Sequence, residues 1–206
     1  MPTSRPSARS ASGSRNWTEL KVVLASRSPQ RREILQRLGV EFEVAAADVE
    51  ELSEGAPAEV VLENARRKAD AVAAGSALTI GCDTDVALGG RLLGKPGDAE
   101  QAGGFLRELS GMTHEVLSGL VIAGPGDRMR SGVARSEVTF RRLEDEDVTR
   151  YLASGEWRER AGGYAVQGLG ATLVARVEGD VSNVIGLPVR LLLKLAPELA
   201  PGFFPA

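Results

Sequence analysis

The tightest constraint on the fold lies between Leu20 and Gly39. A short apolar run, Leu20, Val22, Val23 and Leu24, gives way to the polar residues Ser26, Arg27 and Ser28 and then to an amphipathic segment opened by Pro29. Locally this is a strand, a tight turn and a helix, with Ser28 at the N-cap, Pro29 at the first helical position and Gly39 as the stop. Ile34, Leu35 and Leu38 share one face of that helix. Arg27, Arg31 and Arg32 crowd the end where the macrodipole is already positive, which costs about 0.3–1 kcal/mol per charge unless an anion sits there. Helix amides, hydroxyls and guanidinium groups together make a cradle for phosphate, although solvated arginines in a first turn give the same pattern.

What else the chain contains narrows the chemistry. With 206 residues, 43% of them hydrophobic, it has material for one substantial core, or a core with a smaller lobe. A net charge of −3 argues against a nucleic-acid partner, so any acidic ligand must be met locally. Cys82 is the only cysteine and His114 the only histidine, which excludes an internal disulfide and a multi-histidine metal centre and fits a reducing cytoplasm. Carboxylates, lysines, arginines and hydroxyls must therefore carry the reactivity. No apolar run approaches the roughly 20 residues that span a bilayer, so no membrane partner is expected. Residues 1–17, rich in Ser, Arg, Ala and Pro, read as a disordered tail before a single domain over 18–200.

Along the chain, residues 41–45 read as a strand, followed by an acidic turn containing Asp48, Glu50 and Glu51. Such carboxylates are either solvated surface or oxygen ligands for a hard cation that also holds phosphate. Pro57 opens a helix whose stripe of Val61, Ala65, Ala69 and Val72 carries it to about Ala74, with Gly75 as its stop. Lys68 falls inside that stripe, so its stem packs on the core and its ammonium needs an anion, from this chain or from a substrate. Residues 77–82 read as a buried strand delivering Asp83, Thr84 and Asp85 at its carboxyl end, where open α/β sheets gather ligands. Asp83 is thus the best-placed carboxylate, unless it merely caps a turn.

Gly89-Gly90 signals a hairpin, and Gly94-Lys95-Pro96 then holds Lys95 in a restrained turn. Asp98 and Gln101 form a capping pair for a helix ending at Leu109, strands are expected over 114–122 and 136–140 on either side of a polar loop at 124–130, and a helix over 144–153. His114, at a strand start, is expected to be structural. Glycine is dense between Ala161 and Gly170, which lets backbone approach a ligand, and Gln167 offers a donor and an acceptor suited to a base edge. Bulged strands with a satisfied glutamine would read the same way. A strand over 171–177 and a leucine-rich helix over 189–195 close an α/β or α+β layered domain.

Residues 24–31, 81–84, 94–96, 161–168 and 186–188 resemble, in order, the LASxSPRR, GADT, GKP, AGAYxIQG and GLP motifs of the Maf family of nucleoside triphosphate pyrophosphatases. The resemblance implies an elongated α/β fold similar to that of inosine triphosphate pyrophosphatases: a mixed twisted sheet flanked by helices, with a central cleft between two lobes, and a homodimer as the assembly. It implies hydrolysis of a nucleoside triphosphate to its monophosphate and pyrophosphate with a divalent cation, Mg²⁺ or Mn²⁺. On these matches Asp83 is the catalytic proton acceptor, and Ser26, Arg31, Glu51, Lys68 and Lys95 are polar cleft residues. Asp83, with Glu50 or Glu51, would hold the cation.

The subgroup acting on dTTP and UTP carries Arg after Ser-Pro, Thr after the aspartate and Gln in the IQG motif; that acting on 7-methyl-GTP carries an aromatic residue, Gln and Glu. This chain has Gln30, Thr84 and Gln167. Two positions favour dTTP and UTP, while Gln30 replaces the arginine. Asp85 stands where the family has an apolar or neutral residue, as an added metal contact or a surface charge. The rival readings are a pyrophosphatase acting on 7-methyl-GTP or other modified nucleotides, and a nucleotide-binding regulator of cell division.

Overall fold

The computed structural model describes residues 21–73, 77–126 and 128–199. The tail expected at 1–17, residues 18–20, the Gly75 helix stop and residue 200 lie outside the described residues. Seven strands form one mixed sheet: β1 (Val22–Leu24), β2 (Glu43–Val44), β3 (Leu78–Leu88), β4 (Arg91–Leu92), β5 (Thr113–Gly124), β6 (Arg128–Phe140) and β7 (Val174–Glu178). Their order is β2-β1-β3-β5-β6-β7, with β4 added beside β3. β1 runs parallel to β2 and β3, and the other pairings are antiparallel. The helices are α1 (Pro29–Arg37), α2 (Pro57–Val72), α3 (Ala99–Leu109), α4 (Asp145–Ser154), α5 (Val181–Ile185) and α6 (Val189–Leu195). None of the described helices is long and apolar enough to cross a membrane.

Local chemistry sets the main boundaries. The Ser28 hydroxyl accepts from the Arg31 amide and Pro29 is the first residue of α1, as the sequence predicts. Asp98 caps α3 by accepting from the Gln101 amide, while the Gln101 side chain reaches back one residue further, to the amide of Gly97. Helix α2 packs closely on β3 and β5. A Cβ on Gly81 would stand 2.3 Å from the Ala65 carbonyl oxygen, and one on Gly119 would stand 2.1 Å from that of Val61. Only glycine admits a helix backbone so near, and this approach brings Asn64 and Lys68 down onto the strand.

Two apolar clusters divide the domain along β3. Val22, Leu24, Leu35, Ile80, Cys82 and Leu192 belong to one, while Val86, Phe105, Leu106, Phe140, Tyr151 and Tyr164 belong to the other. The change-over falls at Asp83, Thr84 and Asp85. His114 sits in the second region, buried, with Nε2 at 2.8 Å from the Tyr164 hydroxyl and its ring edge-on to Phe140 and Tyr164. Its structural role is as expected.

Several expectations are corrected. The strand expected to stop at Cys82 continues to Leu88, because β5 pairs with it from Thr79 to Ala87 and so carries three polar residues through the middle of a strand. The loop expected at 124–130 ends sooner, with Arg128 already paired to Gly124; of the arginines there, both on β6, Arg128 is exposed and Arg130 is half-buried against Glu198. Residues 41–45 yield only the two-residue β2, and β7 starts at Val174 after a 3-10 segment, Gly168–Leu173. Helix α5 was not foreseen.

Candidate active site

Beside β3, β1 ends where Leu24 pairs with Ile80, and β4 begins only at Ala87. Residues 81–86 therefore border a gap in the sheet, and a cleft of about 1290 Å³ opens along it. Asp83 lies mid-strand, not at a carboxyl end. It is the carboxyl end of β1, leading into Ser26 and α1, that forms one wall.

Side chains alternate across a strand, so Asp83 and Thr84 face opposite ways. Asp83 faces α2. Its Oδ1 is 2.6 Å from Lys68 Nζ, and its Oδ2 accepts from Asn64 Nδ2 at 3.1 Å. Lys68 also pairs with Glu51 Oε1 at 2.8 Å, so one buried ammonium holds two carboxylates. Burial alone would raise the Asp83 pKa, but the charges of Lys68 and Arg31 and the hydrogen bonds from Lys68 and Asn64 outweigh it and leave the pKa below the ordinary carboxylate value. Asp83 is thereby an anion at neutral pH.

Thr84 faces the other network. Arg31, buried at 8% exposure, donates from Nε to the Gly186 carbonyl at 2.8 Å, from Nη1 to Ser26 Oγ at 3.0 Å and from Nη2 to Thr84 Oγ1 at 3.2 Å. Thr84 Oγ1 also lies 2.7 Å from Ser118 Oγ. Arg31 thus ties α1, β3 and the end of α5 together, and each of its three nitrogens already has an acceptor in the chain. Ser26 Oγ additionally accepts from the Ser28 amide.

The other expected residues stand at the rim. Lys95 and Glu159 pair at 3.2 Å, both well exposed, and both line the cleft. Gln30 lines it with its Oε1 accepting from Ser28 Oγ, and Gln167 lines it as an exposed side chain. Glu51 and Asp48 line it too, whereas Glu50 does not; the Glu50 carbonyl instead accepts from Arg67. Asp85 is half-buried, its Oδ1 accepting from the amides of Val86 and Gly94, so it braces the turn before Lys95 instead of standing as a surface charge. Burial, and the nearby charges of Asp83 and Glu51, push its pKa up to about 6.

A model of the Maf-like protein family matches residues 21–199. The chain belongs to the Maf family. Relatives agree over nearly their whole length. The dTTP/UTP pyrophosphatase of Deinococcus radiodurans is 48% identical over 181 residues, covering 86% of this chain and 92% of that one. That of Myxococcus xanthus is 47% identical (84% and 90% covered), and that of Pyrococcus furiosus 44% (85% and 93%). Among solved structures, a nucleoside-triphosphatase / dITP/XTP pyrophosphatase from Mycobacterium abscessus overlaps 60% of this chain and 76% of its own, at 20% identity and a TM-score of 0.40. The sheet order above, not that overlap, carries the fold assignment.

Each Maf motif reaches the cleft: Ser26 to Arg31, Asp83 and Thr84, Gly94 and Lys95, Ala161 with Tyr164 to Gln167, and Gly186 all line it. Sequence reasoning missed Asn64, Ser118 and the Gly186 carbonyl. For Asn64 a signal existed, since a polar residue one position before Ala65 and four before Lys68 intrudes on a helix face that packs against the sheet.

Among the described residues no group of three or more His, Cys, Asp or Glu side chains is placed to hold a metal ion. Asp83 and Glu51 alone, both on Lys68, fit a hard cation that brings most of its oxygen ligands with it, as Mg²⁺ does when it travels with phosphates.

Proposed function

We propose that this protein hydrolyses dTTP and UTP, or modified pyrimidine nucleotides, to the nucleoside monophosphate and pyrophosphate. The observation that carries the reading is the ionised Asp83, held on both oxygens beside Lys68, in a cleft whose walls are the Maf motifs. The near full-length identity to relatives named dTTP/UTP pyrophosphatase supports the choice of nucleotide.

In this reading Asp83 takes a proton from the water that attacks the α-phosphorus, forming a P–O bond as the bond to the β-phosphate oxygen breaks. Incoming phosphates compete with Asp83 and Glu51 for the Lys68 ammonium, which frees carboxylate lone pairs for water. Ser26 Oγ already accepts two hydrogen bonds, so its own O–H is free to donate to a phosphate oxygen. Arg31 sets the position of Ser26, and Lys95 at the rim neutralises the departing pyrophosphate. Gln30 and Gln167 present amides to the base. Asp83 and Glu51 would hold a divalent cation, Mg²⁺ or Mn²⁺, which would supply charge neutralisation on the phosphate oxygens. Cys82, a buried free thiol, is in keeping with a cytoplasmic setting.

Pyrophosphate release from dTTP, UTP, dCTP, GTP and 7-methyl-GTP, each with Mg²⁺, Mn²⁺ or a chelator, tests the proposal. The highest kcat/KM should fall on dTTP and UTP. Release from none of them, or a preference for 7-methyl-GTP, overturns it.

A further inference from the structure

Residues 45–56 carry Asp48, Glu51 and Glu54 along one wall of the cleft yet contain neither helix nor strand. The Leu52 side chain is 38% exposed, so apolar burial does little to fix this loop. Its anchors on α2 are polar: Arg67 Nη1 donates to the Glu50 carbonyl at 2.9 Å, and Asn64 holds Leu52. Asn64 Oδ1 accepts from the Leu52 amide at 2.7 Å, and Asn64 Nδ2 donates to the Leu52 carbonyl at 3.0 Å. The side-chain amide thus pairs with both backbone groups of one residue as a neighbouring strand would. The second donor of Nδ2 reaches Asp83 Oδ2 at 3.1 Å. Asn64 is 2% exposed, and both of its polar atoms are engaged.

One helical turn further on, Lys68 repeats the pattern, holding Asp83 Oδ1 and Glu51 Oε1. Residues four apart share a helix face. One face of α2 therefore grips each oxygen of Asp83 and each of two successive loop residues. We infer that Asn64 is a positioning residue, which registers the loop bearing Glu51 against Asp83 and fixes the rotation of the Asp83 carboxylate. The inference rests on the function proposed above for what Asp83 does, but the contact itself does not depend on it.

Burying a polar amide in a helix face is unfavourable unless it is hydrogen-bonded, and Asn64 meets that condition only while the loop is docked. With Asn64 replaced, the Leu52 amide loses its acceptor and Asp83 loses one of its two donors. The loop and the carboxylate should then loosen together, and the chemical step should suffer more than substrate binding.

Two variants test this, Asn64→Leu, of similar size and apolar, and Asn64→Ser, too short to reach Leu52. Amide exchange at Leu52 is followed together with kcat and KM for dTTP and thermal unfolding. The expected result is a fall in Leu52 protection of about 100-fold. It is accompanied by a fall in kcat of about tenfold or more, with KM held within about threefold. Unchanged Leu52 exchange in both variants overturns the inference, and so does lost protection with wild-type kcat. A lowered unfolding temperature with kcat per folded molecule intact overturns it as well, because a merely structural asparagine behaves that way. A wild-type protein that releases no pyrophosphate would overturn the proposed function instead, and Leu52 exchange, which needs no substrate, would then decide the Asn64 inference alone.

Discussion

Lys68 and Lys95 face the same cleft under opposite conditions. Lys68 has a side-chain exposure of 9% and sits between Asp83 and Glu51; Lys95 has one of 59% and meets Glu159, itself 85% exposed. Withdrawing charges from water is costly, so the Lys68 cluster persists only because its geometry and its extra hydrogen bond from Asn64 compensate. The rim pair loses little hydration and gains little. The difference separates a floor assembled before any substrate arrives from a rim whose ions exchange readily with a phosphate. Asp85, bonded to the Gly94 amide, links the two.

The largest effect expected is at the floor itself. Asp83→Asn keeps Lys68 paired with Glu51, so the fold should survive while pyrophosphate release falls by about 10³-fold. Wild-type turnover would remove Asp83 from the mechanism. Next, Lys68→Met strands the buried Asp83 carboxylate and should cost about 3–5 kcal/mol in urea unfolding, whereas Lys95→Met should cost less than about 1 kcal/mol. Equal losses would abolish the contrast between floor and rim.

At His114, in the second apolar region, buried charge is avoided rather than paired. Burial lowers the His114 pKa from 6.5 to about 4. The folded form resists protonation that the unfolded chain accepts, so stability should be level above about pH 6.5 and fall as the pH drops toward about 4, by about 3 kcal/mol. His114→Gln, which retains a partner for the Tyr164 hydroxyl, should flatten that window in thermal unfolding across pH.

Smaller effects are expected at the rim. Lys95→Ala should raise KM for dTTP by about tenfold, the worth of one charge-assisted hydrogen bond, with stability nearly unchanged. Glu159→Gln releases Lys95 and should lower KM by about two- to threefold, less so at high salt. A rise in KM instead would mean that Glu159 helps to hold the nucleotide.

Asp83 and Lys68 were both legible one at a time, as a carboxylate following an apolar strand and a lysine inside an apolar stripe. Their pairing was not, because it depends on Gly81 and Gly119 letting α2 settle onto the sheet. Arg31 was legible as a cation at a helix start; the structure also commits one N–H of each of its three nitrogens, three donors of five, to Gly186, Ser26 and Thr84. Two of those acceptors lie far along the chain, where no local pattern points to them. Glu50 and Glu51 were indistinguishable as neighbours in an acidic turn, and only the structure places Glu51 in the cleft, on Lys68 and next to the Leu52 that Asn64 holds.

By itself, then, the sequence determined the local elements and the motifs that identify the family, since caps, glycine stops and apolar spacing act within a few residues. It also determined the kind of chemistry, by leaving carboxylates, cations and hydroxyls as the reactive groups in number. The tertiary structure alone decided that β3 runs on through Asp83, that the site is a gap between β1 and β4, and which charges are paired. Those outcomes depend on strand pairing and helix approach between distant segments, and burial, which sets the strength of every charge in the cleft, exists only once those segments have met.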